Sequence, residues 1–373
     1  AREDRPGDKR LVAYVVPSSD GTTLTPYVET ARVQHTSEWM SVFDHTYSAG
    51  MPSAPPSFAG WNSSYTNEAL ADEDMTEWLN GTIARLLALK HDTVLEVGCG
   101  VGLLLERLAP VCKSFTALDI SASAIAALTA WVSSRTDMAH VRIARCAAID
   151  LDTHASGPHD LVILNSVIQY FPDADYLLSV LRNAARVMSK KGSIFIGDVR
   201  HLGLLNAYHS SVQLARAEGT LRLEDLRHRI STAIGGEKEL VVEPSWFLKQ
   251  QRILLPNGST QIQLRRGKKD NELTRYRYDV ILSRQRLRGG SNIVGSTQFD
   301  YWSLPLQQLP EILREAKISE LTVTGIPNRR TSLDTAAIRL IADMDARSTA
   351  NDLRARLSQL AIAGEDPEDY WEI

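Results

Sequence analysis

Cysteine is scarce in this chain. Its 373 residues hold three, Cys99, Cys112 and Cys146, far apart and without CxxC spacing. A disulfide framework or zinc ribbon is therefore not expected, and a reducing, cytoplasmic setting is. Nine histidines form no HxxxH pair, so no metal is expected. No apolar run approaches the ~18 residues that span a bilayer, and AREDRPGDKR is not a signal peptide. Net charge is only −4, so the overall field selects no partner. There is no internal repeat and no nucleic-acid motif, and neither nucleic acid nor membrane is expected as a partner.

What is present is ordinary globular material: 43% hydrophobic and 23% charged residues, enough for a sizeable core. The run KRLVAYVVP (9–17) reads as a strand closed by Pro17, yet no second strand follows for about seventy residues, and a lone strand is not stable in water. Residues 18–66 are rich in Ser, Thr, Gly and Pro with scattered aromatics, and read as short helices and loops. Over 72–90 Met75, Trp78, Leu79, Ile83, Leu86 and Leu87 recur at helical spacing.

An alternation follows. TVLEVG (93–98), SFTALD (114–119), HVRIARC (140–146), HDLVILNSV (159–167) and GSIFIGDV (192–199) read as strands, with helical stretches between most of them. The strands are mostly continuous apolar runs, as expected where helices cover both faces. This predicts an α/β fold with a doubly wound parallel sheet. Residues 202–250 read as mainly helical. STQIQLRRG (259–267) and TRYRYDVILSR (274–284) read as an antiparallel pair across a charged turn. Beyond 285 the order is strand TQFDYW, helix, strand ELTVTGI, a helix from Asp334 through Met344, and a last helix.

The chemistry concentrates after the first sheet strand, at Glu96-Val97-Gly98-Cys99-Gly100-Val101-Gly102. Such glycines let the backbone turn tightly and approach a ligand that a Cβ would block. Asp119 ends the second strand, where a carboxylate can accept from both hydroxyls of a ribose. A dinucleotide site prefers GxGxxG, whereas this loop reads GCGVG. Glu96 at its entrance would repel a pyrophosphate and suits a cationic ligand, such as the sulfonium and ammonium of S-adenosylmethionine. The bland alternative is a glycine turn without a ligand, with Cys99 merely filling space.

Longer stretches are more specific. GWNSSYTNEAL (60–70), VLEVGCGVGLLLERLAP (94–110), LVILNSVIQYFPDADYLLSVL (161–181), GSIFIGDVRHLGLLNAYHSSVQLARA (192–217), DNELTRYRYDVIL (270–282) and GIPNRR (325–330) together resemble the methyltransferase domains of nonribosomal peptide synthetases. The resemblance implies a class I S-adenosylmethionine-dependent, Rossmann-like sheet with a helical lid and a small C-terminal α/β extension. It implies N-methylation of the backbone amine of an aminoacyl thioester on a carrier protein's phosphopantetheine arm. Such domains are inserted in an adenylation domain, and EDRPGDKRLVAYVVP resembles the last strand before the insertion point. The expected organisation is then an adenylation remnant (1–17), an N-terminal cap (18–92), the core (93–284, lid at about 200–258) and the extension (285–373). The chain reads as an excised insert, with KRLVAYVVP weakly paired. Implied partners are the adenylation domain, the carrier domain and a small MbtH-like partner of the adenylation domain.

Carried onto this sequence, the resemblance implies cofactor contacts at Trp61, Tyr65, Glu96, Gly98, Gly100, Gly102, Asp119, Ile120, Asn165, Ser166 and Val167. The family's Ala-acid pair corresponds to Ala147 and Ala148, with the acid displaced to Asp150. Substrate contacts are expected at Gln169, Tyr170, Gln213 and Asn271, because strand C-termini are where such sites form. Tyr170, His209 and Glu239 are the catalytic candidates, with Glu239 or His209 taking the amine's proton. Arg265 to Arg288 holds nine Lys and Arg against three acids. That run reads first as a solvated strand face, and alternatively as a docking surface for an acidic carrier. Methylation of oxygen, sulfur or carbon, or a non-catalytic scaffold, are the competing functions.

Overall fold

A computed structural model describes residues 2–3, 9–10, 25–48, 58, 60–155, 157–285, 297–300, 311, 314, 321–360 and 364. Its centre is a seven-stranded sheet of β1 (Thr93–Val97), β2 (Ser114–Asp119), β3 (Val141–Arg145), β4 (His159–Asn165), β5 (Met188–Arg200), β6 (Ser259–Leu264) and β7 (Arg277–Ser283), ordered β3-β2-β1-β4-β5-β7-β6. The first five strands are parallel; β7 runs antiparallel to β5, and β6 to β7. This is the class I methyltransferase arrangement anticipated from the alternation.

Side chains along β1 show why its apolar run is continuous. Leu95 and Val97 enter one core, with α6 (Ala174–Val187) and α9 (Pro244–Leu254). Val94 enters the other, with α2 (Asp72–Ala88) and α3 (Leu103–Leu108). Both faces are dry, so period-two alternation has no polar side to show. A third cluster joins the lid helices α7 (Leu205–Arg216) and α8 (Leu223–Gly235) to α11 (Arg329–Asp343) and α12 (Ala350–Ser358). Lid and C-terminal helices thus share one apolar core.

Three boundaries differ from the sequence reading. Among the described residues of 18–66 there is a helix of 24 residues, α1 (Thr25–Ser48), where short ones were expected. It lacks an aliphatic stripe, and its formation depends on docking by Trp39, Phe43 and Tyr47, spaced four apart. The helix expected from Asp334 begins at Arg329, because the Asn328 side chain caps it by accepting from the Arg330 amide (3.0 Å). The charged turn between β6 and β7 contains a short helix, α10 (Glu272–Arg275). The strands β8 (Thr297–Asp300) and β9 (Leu321–Thr324) form a separate parallel pair. Lys9–Arg10 pairs with Arg2–Glu3 and not with the main sheet, while Leu11–Pro17 lies outside the described residues, as do Arg286 and Arg288. Among the described residues no helix is long and apolar enough to cross a membrane.

The basic run divides: Arg266, Lys268, Lys269 and Arg284 are exposed, as the solvated-face reading expects, while Arg265 is buried and Arg275 and Arg277 are half-buried. Arg265 (2% exposed) donates to both carboxylate oxygens of Asp279 (2.9 and 3.1 Å), which also pairs with Arg85. Arg277 binds Asp198, and Arg275 binds Asp270. Asp270 and Asp279 belong to the run itself, and Asp198 comes from β5, so a tally of charge gives the acids without saying which cation each one meets.

Candidate active site

A cavity of about 610 Å³ opens at the C-terminal ends of β1, β2, β4 and β5. Its first half is built on the glycine loop. Gly98 has φ +79°, and an added Cβ would lie 2.5 Å from Val167 Cγ2. The loop therefore lies against the β4 turn as only glycine allows. Asp119, on the cavity wall, accepts from the Gly100 amide (Oδ2, 2.8 Å) and the Ser121 amide (Oδ1, 2.8 Å). Burial pushes its carboxyl up, and these backbone donors oppose the shift. Glu96 lies under the loop rather than on the cavity wall, which corrects its expected place at the entrance. It is 3% exposed, its Oε2 has no partner, and burial together with the Asp119 charge pushes its carboxyl well up.

Gly98, Asp119, Ile120, Ala148, Ser166, Val167 and Trp61 of the expected cofactor contacts line the cavity. Gly100, Gly102, Ala147 and Asn165 support it from behind. Gly102 (φ +83°) leads into α3, and Asn165 donates to Ser166 Oγ (3.1 Å) while its own Oδ1 is buried without a partner. Tyr65 is placed elsewhere: its hydroxyl joins Ser211 (3.0 Å) and Tyr276 (3.3 Å), fastening the lid. Asp150 is exposed and outside the cavity lining. Burial pushes the Cys99 thiol well up, consistent with a filling role.

Sequence reading missed the roof. Trp39, Met40, Phe43 and Tyr47 of α1 line the cavity, and Tyr170 is packed between Trp39 (ring centroids 4.5 Å) and Phe43 (4.8 Å). The i, i+4, i+8 aromatic spacing was the available signal. The helix is pinned to the N-caps of two sheet helices. Arg32 donates to Asp173, the cap of α6 (2.7 and 3.0 Å); Asp44 accepts from Ser121 Oγ, the cap of α4 (Ala122–Ser133), at 2.6 Å. Those hydrogen bonds, with a charged partner, contribute about 1.5–3 kcal/mol each. Asp44→Ala is thus expected to weaken S-adenosylhomocysteine binding about tenfold by calorimetry, and an unchanged Kd would remove α1 from the cofactor site.

The second half lies under the lid. Arg200 donates to Glu239 (2.8 Å) and Glu237 (2.7 Å), and Glu237 also pairs with His209 Nε2 (3.1 Å). Burial disfavours the Glu237 charge, but His209 and Arg200 outweigh it and hold the carboxyl well below the usual range. Asp198, at a bulge in β5 with φ +64°, accepts from Ser166 and Arg277. Burial, aided by the Glu239 charge, pushes the Tyr170 phenol up to about 12, which suits a neutral donor and not a base. Glu239, His209 and Tyr170 line the cavity; Gln169, Gln213 and Asn271 do not. Gln169 is buried behind the wall, its side-chain amide donating to the Ser166 carbonyl (3.0 Å) while its backbone carbonyl accepts from the Leu240 amide (2.7 Å). Gln213 sits half-buried on α7. Asn271, expected at the substrate, caps α10 by accepting from the Leu273 and Thr274 amides, and it donates to Asp74. Its neighbour Glu272 faces the cavity instead, as do Ser64, Tyr208 and Tyr276.

A methyltransferase domain model matches residues 95–194. The chain is 35% identical to chondramide synthase cmdD of Chondromyces crocatus over all of this chain and 10% of that protein. It is 34% identical to the probable non-canonical nonribosomal peptide synthetase CymA of Salinispora arenicola, over 92% of this chain and 4% of that one. The fungal nonribosomal peptide synthetase asqK of Emericella nidulans is 28% identical over 98% of this chain and 15% of its own length. The chain is a methyltransferase domain of the nonribosomal peptide synthetase type. It spans a small fraction of each of these relatives. The methyltransferase domain uses S-adenosylmethionine, and the first half of its cavity fits that molecule. Asp119 offers a carboxylate and Ile120, Cys146 and Ala148 an apolar edge, while the lining cations Arg200, Lys238 and Arg277 all lie at the lid half, away from the glycine loop. The orphaned Glu96 oxygen supplies further negative charge beneath the loop.

Proposed function

We propose that this domain methylates the backbone amine of an aminoacyl thioester presented by a carrier protein, beside an adenylation domain. The observation that carries the reading is the charge of the lid half. Three carboxylates (Glu237, Glu239, Glu272) line it and Asp198 is buried behind the wall; they meet the guanidinium groups of Arg200 and Arg277, with Lys238 exposed at the rim. An acid-rich chamber in a low-dielectric wall favours an amine arriving as ammonium. The synthetase context of the relatives supports a carrier-held amino acid as its source.

Bound S-adenosylmethionine supplies an electrophilic methyl group on a sulfonium. This chain's residues must then place an amine in line with it and exclude water. Trp39, Phe43 and Tyr170 form the dry roof, and Trp61, tilted on Trp78 at 4.8 Å, forms a side wall. An α-amine titrates near ~8, so a fraction is neutral at working pH and no strong base is required. Glu239 and His209 belong to the Arg200–Glu237 network, so they orient the wall as paired groups. Labelled methyl transfer to an aminoacyl carrier, followed by tandem mass spectrometry, is expected to place the methyl on the backbone nitrogen. Label on a side-chain atom would overturn the reading in favour of O-, S- or C-methylation.

A further inference from the structure

We infer that Glu272 is the end point of a proton relay from the substrate amine, running through Tyr208 and Ser64; this rests on the N-methyl reading above. All three residues line the cavity. They come from distant parts of the chain: Ser64 from the segment before α2, Tyr208 from the lid helix α7, and Glu272 from the start of α10. Tyr208 Oη donates to Ser64 Oγ (2.7 Å), and Ser64 Oγ donates to Glu272 Oε1 (3.1 Å). The Ser64 amide donates to the other carboxylate oxygen (3.0 Å), which fixes the carboxylate plane. Both hydroxyl protons therefore point toward Glu272, and the Tyr208 oxygen keeps its lone pairs for a donor in the cavity.

The remaining carboxylates of the chamber are each committed to an arginine. Asp198 holds Arg277, and Glu237 and Glu239 hold Arg200. Protonating Asp198 would take the counter-charge from Arg277, and protonating Glu237 or Glu239 would take one of the two that hold Arg200. The hydrogen bonds to the Glu272 carboxylate, among the described residues, both come from Ser64. The other titratable groups around the relay are Arg277 of β7, which feels the Glu272 charge, Arg200 of β5, 5.0 Å over the Tyr208 ring, and His209, Glu237, Glu239 and Tyr276 along the chamber. The two arginines stabilise negative charge passing through the tyrosine oxygen.

The step balances without a further reactant. The ammonium N–H proton passes to Tyr208 Oη as the tyrosine proton passes to Ser64 Oγ and the serine proton to Glu272 Oε1. The nitrogen keeps its electron pair and becomes the nucleophile, while Glu272 becomes a neutral acid. An ammonium and a carboxylate are thus exchanged for an amine and an acid inside the chamber.

The test uses the chain with alanyl- and valyl-pantetheine thioesters, and follows N-methyl product from pH 6.5 to 9. For Glu272→Gln and Tyr208→Phe, kcat is expected to fall at least tenfold at pH 7. It should approach the wild-type rate near pH 9, where most of the amine arrives neutral. Ser64→Ala, the least disruptive variant, should show the same recovery, and all three should bind S-adenosylhomocysteine within twofold of wild type. A Glu272→Gln profile parallel to wild type, or wild-type rates for Tyr208→Phe at pH 7, would overturn the relay. Wild-type enzyme that N-methylates neither thioester would overturn the N-methyl reading, and the relay with it.

Discussion

Gly98→Ala is expected to weaken binding of S-adenosylhomocysteine at least a hundredfold, with little change in the unfolding midpoint. The new methyl would lie 2.5 Å from Val167 Cγ2 and 2.8 Å from Val167 Cβ, at φ +79°. The left-handed conformation costs a non-glycine residue about 1–2 kcal/mol, and the overlap adds about 1–3 kcal/mol. The loop escapes both by withdrawing from the β4 turn, and the loss then falls on the site more than on the core. A hundredfold change in Kd corresponds to about 2.7 kcal/mol, within that sum. Calorimetry measures it directly, and a Kd within threefold of wild type would show that the loop's approach to Val167 is not needed for binding.

Asp279→Ala is expected to lower unfolding stability by about 3–5 kcal/mol, the cost of leaving a buried charge without its partner. That is a large part of the total for a typical domain. Asp279 is fully buried, pairs with Arg265 and Arg85, and also accepts from the Asp198 amide (2.8 Å). Two guanidinium groups would lose their counter-charge at once. Burial opposes the Asp279 charge, but Arg265 and Arg85 outweigh it, so its folded pKa lies below the unfolded value. Its contribution is therefore complete at neutral pH and is lost as pH falls below about 4, the ordinary aspartate value, toward the folded pKa. Urea titrations should show the gap between wild type and Asp279→Asn closing over that acid range. A gap that stays constant from pH 7 to pH 3 would exclude the ionic account. Because Asp198 carries Ser166 and Arg277, the same substitution should also loosen the cavity wall.

The sheet was legible because its information is local. Each strand is a short apolar run bounded by turns, and each intervening helix returns the chain to the same side of the next strand. The glycine loop and Asp119 were legible for the same reason, since their backbone requirements are written in consecutive residues. The roof was not. Trp39, Phe43 and Tyr47 stand in a helix whose fold depends on packing against Tyr170, far along the chain. The substrate wall was read one residue off. Asn271 carries the stronger sequence signal for a special role, but that signal belongs to helix capping, and Glu272 beside it turns into the cavity.

Residue order alone thus set the α/β class, the doubly wound parallel sheet, the cofactor loop and the resemblance to synthetase methyltransferase domains. The class and the loop follow from periodicity and backbone geometry within a few residues, whereas the resemblance rests on longer stretches spread along the chain. Tertiary structure decided which charges meet. It buried Arg265 of the basic run against Asp279, committed Glu237, Glu239 and Asp198 to arginines, and brought Ser64 and Tyr208 to Glu272. Electrostatic partners are chosen by distance in space, and a linear sequence does not encode that distance where any reader can see it.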